Sequence, residues 1–108
     1  MLIIRGVNVF PTQIEEALLR VEGTAPHYLI EVDRPGTLDV IKVSVEIRPE
    51  DFSDKMSHLQ ALHDRIEKEI FVVTGLRARV ELVEPKTLER SAGKARRVID
   101  HRREKGLI

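Results

Sequence analysis

An α+β sandwich is the fold class predicted by three observations in this 108-residue sequence. Two segments, at 14–21 and 59–70, repeat apolar residues with the period of a helix. Three others, at 28–33, 41–47 and 77–83, alternate apolar and polar residues with the period of a strand. Counting the apolar opening Met1 to Ile4 as a first strand, the order is β-α-β-β-α-β. That order is expected for a ferredoxin-like sandwich, here followed by a basic loop and a short C-terminal helix.

The first element, Met1-Leu2-Ile3-Ile4, is apolar from its first residue. A strand starting there is more natural for a domain cut from a longer chain than for an independent protein. Thr12-Gln13-Ile14-Glu15 has the pattern of a capping box, in which hydroxyl and carboxylate satisfy exposed amides at a helix start. Ile14, Ala17, Leu18 and Val21 then share one helix face, and Gly23 is placed to stop the helix. Tyr28, Ile30 and Val32 alternate with Leu29, Glu31 and Asp33 as a half-buried strand. Arg34-Pro35-Gly36-Thr37 reads as a turn in which glycine takes a positive backbone angle. Ile41, Val43, Val45 and Ile47, alternating with Lys42, Ser44, Glu46 and Arg48, form the clearest strand in the chain.

A loop over 49–54 ends in good capping residues and leads to a long helix. Leu59, Leu62, Ile66 and Ile70 lie on one side of it, and Gly75 stands near its end. The pairs His63–Glu67, Asp64–Lys68 and Arg65–Glu69 have the i, i+4 spacing that supports a helix modestly. In the last strand Ala78, Val80 and Leu82 point inward, and Pro85 ends it.

The length allows one domain with a single core and no two-domain cleft. Tryptophan and cysteine are absent, so disulfides, thiolate zinc sites and cysteine nucleophiles are excluded. With one tyrosine and three phenylalanines, no aromatic platform for single-stranded nucleic acid is expected. No apolar run approaches a membrane span, and a cytoplasmic location is compatible with the missing cysteines. Net charge is zero, yet residues 86–105 hold eight Lys/Arg against three acids, a local +5 that leaves −5 elsewhere. Such a tail suits an anionic partner, or simply a solvated basic helix.

Two runs stand out as candidate chemistry. Ser91-Ala92-Gly93-Lys94 puts a long-stemmed cation on a small, flexible base, a means of presenting one mobile charge to a phosphate or carboxylate. It is not a P-loop, which needs glycine where Leu88 stands and Ser or Thr where Ala95 stands. Ser91 has no base visible in the sequence. The other run is Arg5-Gly6-Val7-Asn8-Val9-Phe10-Pro11, where Gly6 could serve a turn, Pro11 a helix start and Phe10 a staple. The four histidines show no metal-ligand spacing, and His58 and His63 do not share a helix face.

Together, the segments from Met1 to Glu15 and from Leu82 to Asp100 resemble the C-terminal domain of adenylate-forming acyl-CoA synthetases, in the phenylacetate–CoA ligase branch. The likeness in pattern extends through Tyr28 to Glu46 and so covers essentially the whole chain. The resemblance implies a mobile lid over a large N-terminal adenylation domain that binds ATP, Mg2+ and an aryl acid. The family's hinge residue would fall just before Met1. Lys94, with Gly93 beneath it, would contact the carboxylate and α-phosphate region while the acyl-adenylate forms. Arg5, Gly6, Val7 and Asn8 would face the site in a second orientation, with Gly6 helping to form the tunnel for CoA.

By the same resemblance this domain alone would be inactive, hold no metal and bind no cofactor tightly. Arg96, Arg97, Arg102 and Arg103 could attract CoA phosphates or form a solubilising tail helix. Relatives that adenylylate a deazaflavin cofactor would look alike in this domain. From other classes, the element order also suits an ACT-type ligand-binding regulatory module, and the basic tail a salt-dependent nucleic-acid binder. Two copies could pair as a homodimer.

Overall fold

The computed structural model describes residues 2–48, 56–84 and 98–102. Its elements are strands β1 (Leu2–Ile4) and β2 (Val7–Val9), helix α1 (Pro11–Leu19), strands β3 (Thr24–Asp33) and β4 (Val40–Ile47), helix α2 (Met56–Thr74), and strands β5 (Arg79–Val83) and β6 (Val98–Asp100). Four strands form a mixed sheet in the order β5-β4-β3-β6. β3 and β4 run antiparallel, while β5 lies parallel to β4 and β6 parallel to β3.

The α+β class holds, but the expected ferredoxin-like order is not the one seen. The first strand does not enter the main sheet; it pairs with β2 in a separate two-stranded hairpin. The place beside β3 goes to β6, a segment expected to belong to the basic C-terminal loop and helix. Ile30 pairs with Val98 and Val32 with Asp100, so the exposed edge of β3 draws this short apolar run into the sheet.

Both helices cover one sheet face. Tyr28, Ile30 and Val32 from β3, Ile41, Val43, Val45 and Ile47 from β4, and Ala78 and Val80 near β5 are buried there. Against them pack Ile14, Ala17, Leu18 and Val21 from the α1 region, and Leu62, Ile66 and Ile70 from α2. Register explains the common face: Ile30 pairs with Val43, and Val43 with Val80, so the period-2 pattern stays in phase across three strands. On the opposite face the alternation misleads, because Ser44 and Glu46 are buried. β4 is an interior strand with neighbours on both edges. The Glu46 carboxylate is not left without a partner.

Local details differ from the sequence reading in instructive ways. Helix α1 starts two residues early, with Pro11 in its first turn and Phe10 as the cap. The Phe10 N–H donates to Gln13 Oε1 at 2.9 Å, so Gln13, rather than the Thr12–Glu15 pair, closes the helix start. Phe10 stays exposed rather than acting as a buried staple. The helix ends at Leu19, and the Thr24 hydroxyl donates to the carbonyls of Leu18 (3.0 Å) and Val21 (3.2 Å). Gly23 (φ 104°) serves the approach to β3, whereas Gly36 does not take the positive angle expected of it.

At the end of α2, Gly75 (φ 78°) sends its N–H to the Phe71 carbonyl at 2.7 Å, as a helix-terminating glycine should. The expected i, i+4 charge pairs are not the ones formed among the described residues. Asp64 instead takes Gln60 (2.9 Å) and His63 (3.1 Å), and Glu69 faces Arg20 of the first helix at 3.9 Å. The expected loop over 49–54 and the role of Pro85 lie outside the described residues. Among the described residues no helix is long and apolar enough to cross a membrane.

Candidate functional site

The Arg5–Asn8 segment forms the tip of the β1–β2 hairpin. Leu2 pairs with Val9, Ile3 with Asn8 and Ile4 with Val7, leaving Arg5 and Gly6 as a two-residue connection. Both take positive φ, 52° and 77°, the signature of a type I′ turn whose twist matches that of the strands. Glycine adopts this angle freely, whereas arginine must be held there. Ile4 and Val9 are buried in the core and Leu2 packs against it, while Ile3 is 54% exposed and Asn8 lies open beside it. A Cβ added at Gly6 would meet nothing within 4 Å, so the domain's own packing leaves space beside the turn.

What holds Arg5 is Asp39, 34 residues away and just before β4. Asp39 Oδ2 accepts the Arg5 backbone N–H at 2.9 Å, and the Asp39 carbonyl accepts Arg5 Nε at 2.8 Å. The other carboxylate oxygen accepts Arg34 Nε at 2.7 Å. Arg102 adds a third cation, 3.1 Å from Oδ2. With only 9% of its side chain exposed, Asp39 stays ionised because of these donors. The Arg5 N–H, then Arg34 and Arg102, hold its pKa at about 2 against the opposing effect of burial.

Arg102 is correspondingly committed. Its Nε and NH2 groups donate to the two oxygens of Asp100 at 3.0 and 2.9 Å, a bidentate fork. Its NH1 donates to the Ile3 carbonyl at 2.7 Å. Asp100 first, and Asp39 after it, raise its pKa further. The expectation of Arg102 as a free cation for CoA phosphates is thus corrected: its guanidinium is spent inside the fold. Next to it, His101 Nε2 lies 3.1 Å from Glu31 Oε2, and the His101 backbone N–H donates to the Val32 carbonyl at 2.8 Å. His101 and Glu31 line a cleft of about 460 Å³ with Asp33, Lys42 and Arg79.

The structure therefore brings Arg5, Gly6, Val7 and Asn8 together at one exposed tip. Lys94 and Gly93 lie outside the described residues, as do Arg96, Arg97 and Arg103. The strands that flank Lys94 in the sequence, β5 and β6, occupy opposite edges of the sheet. Asp39 and Asp100 escaped sequence reasoning. For Asp39 the available signal was a lone acid between Leu38 and Val40, just before the clearest strand; nothing local pointed to Asp100.

Residues 6–102 match the family model of the AMP-binding enzyme C-terminal domain. The chain is 44% identical to the phenylacetate-coenzyme A ligase of Aromatoleum evansii over 94% of its own length and 24% of the relative's. For the Escherichia coli ligase of that name the values are 40%, 94% and 23%. The chain thus spans about a quarter of the length of these curated relatives. A solved domain of phenylacetate-coenzyme A ligase from Bacteroides vulgatus superposes with a TM-score of 0.84 at 36% identity, covering 93% of this chain and 91% of that one.

A 2-hydroxyisobutyryl-CoA ligase, solved with 2-HIB-AMP and CoA in its thioesterification state, gives 0.83 at 31% identity over 95% of this chain and 22% of that one. In its postadenylation state with 2-HIB-AMP it gives 0.82 at 33% identity, over 96% and 22%. The family displaces the regulatory-module and nucleic-acid alternatives: the chain belongs to the AMP-binding enzyme C-terminal domains, in the form carried by phenylacetate–coenzyme A ligases.

Proposed function

We propose that this domain is the mobile lid of an acid–thiol ligase that joins an aryl acid to CoA at the expense of ATP. In the first half-reaction a carboxylate oxygen attacks the α-phosphorus of ATP, the bond to the β-phosphate breaks, and diphosphate leaves. In the second, the CoA sulfur attacks the acyl carbon, gives up its proton, and AMP leaves. Lys94 is the cation for the first step, and the Arg5–Asn8 hairpin lines the CoA path in the second. The large domain binds ATP, Mg2+ and the acid. The cytoplasm, where ATP and CoA are available, is the compartment this reading requires.

The observation that carries the reading is the equal likeness of this fold to one ligase in two catalytic states. A domain that keeps its internal structure while its surroundings change is suited to act as a rigid lid. The exposed glycine turn supports the second role, since its backbone can approach a ligand closely. An ordinary lysine, with a pKa near ~10.4, is charged at neutral pH. Beside a phosphoryl oxygen its charge is worth roughly a few kcal/mol at an effective dielectric of about 20. In the full-length ligase, Lys94→Ala is expected to slow adenylation by about 10²–10³-fold and to spare thioester formation from supplied acyl-adenylate. Equal loss in both half-reactions would remove the proposed role.

A further inference from the structure

We propose that Asp39 is a positioning residue that fastens the Arg5–Gly6 hairpin to β6, the strand that follows Lys94 in the sequence, so that the hairpin and β6 move as one body. The proposal rests on the lid reading for its catalytic meaning, but the fastening itself is visible in the fold. Among the described residues, every hydrogen bond from the hairpin to another element ends on Asp39 or Arg102. The hairpin shares no strand pairing with the main sheet. Its apolar inner face holds it down, but burial is not directional and leaves the tip free to tilt. The bonds from Asp39 are directional, and they fix Arg5 in a backbone conformation that a side chain disfavours.

The other end of the fastening is β6. With three residues pairing at a sheet edge, this strand has little hold of its own. At its end, Asp100 and Arg102 two residues further on form the bidentate fork, and the same guanidinium reaches Asp39 and the Ile3 carbonyl. One carboxylate, nearly shut off from water, therefore links β1–β2, the turn before β4 and the end of β6. The Arg102 guanidinium, bonded to Ile3, Asp39 and Asp100, joins the same three places from the other side.

Amide hydrogen exchange on this chain, read by NMR, tests the link directly. In Asp39→Asn, the amides of Arg5, Val7, Ile99 and His101 are expected to exchange at least about tenfold faster, with Ile66 and Ile70 in α2 unchanged. Wild-type protection at either the hairpin or β6 would overturn the proposal, as would equal acceleration at Ile66. Should Asp39→Asn fail to fold, Arg102→Gln replaces it: joint loss of protection at hairpin and β6 supports the link, and loss at β6 alone overturns it. In the full-length ligase, kept well below its melting temperature, Asp39→Asn should lower kcat of both half-reactions about tenfold, leave KM for ATP unchanged, and be partly rescued by Asp39→Glu. Wild-type rates in both would overturn the positioning role. If Lys94→Ala leaves adenylation intact, it is the lid reading that fails, while the exchange result stands.

Discussion

The helix-covered face of the sheet and the β1–β2 hairpin lie in one small domain but are held differently. The first buries Ile30, Val43 and Ile66 completely and needs no ion pair to define it. The second tucks Ile4 and Val9 into the same core, leaves Ile3 and Val7 exposed, and is aimed by Asp39 and Arg102. Apolar burial supplies stability without direction, whereas charge-assisted hydrogen bonds set an orientation. The segment expected to meet a ligand is thus the one whose position depends on polar contacts.

The largest expected effect sharpens the first half of that comparison. Ile66→Ala removes a fully buried side chain between α2 and the sheet and is expected to cost about 2–5 kcal/mol in urea unfolding. A loss below ~1 kcal/mol would show that the helix layer is not the seat of stability.

A smaller effect sharpens the second half. Asp39 has its pKa lowered from 3.8 to about 2, so its contribution is fully present above the unfolded value and is lost as pH falls through about 2. The contribution is roughly 2 kcal/mol. Unfolding of the wild type and Asp39→Asn at pH 5 and pH 2.5 measures it. The gap between them should narrow at the lower pH, and a gap independent of pH would mean that Asp39 is not the titrating anchor.

Sequence patterns reveal the first region far better than the second. The alternation over Ile41–Ile47, the helix face of Ile14, Ala17 and Leu18, and Gly75 as a stop all follow from local periodicity and turn chemistry. The hairpin is illegible by the same means, because three-residue strands are too short to show alternation. Its turn also puts arginine where asparagine or glycine is the usual signal. β6 reads as part of a basic tail, since its strand character comes from pairing with the open edge of β3. Burial of Glu46 and the bonds of Asp39 are tertiary facts, set by neighbours far away in sequence. In the candidate site, the family resemblance pointed to Arg5–Asn8, and the structure adds what aims it.

The lid account is tested most directly by measuring both half-reactions of the full-length ligase in Gly6→Trp and Lys94→Ala side by side, with Gly6→Asn as a control. Asparagine tolerates the positive φ of this turn without the bulk of an indole, which separates backbone strain from obstruction. The account predicts opposite patterns: Gly6→Trp blocks thioester formation and spares adenylation, Lys94→Ala does the reverse, and Gly6→Asn stays near wild type. The same half-reaction failing in both variants, or Gly6→Trp forming thioester at the wild-type rate, would contradict it.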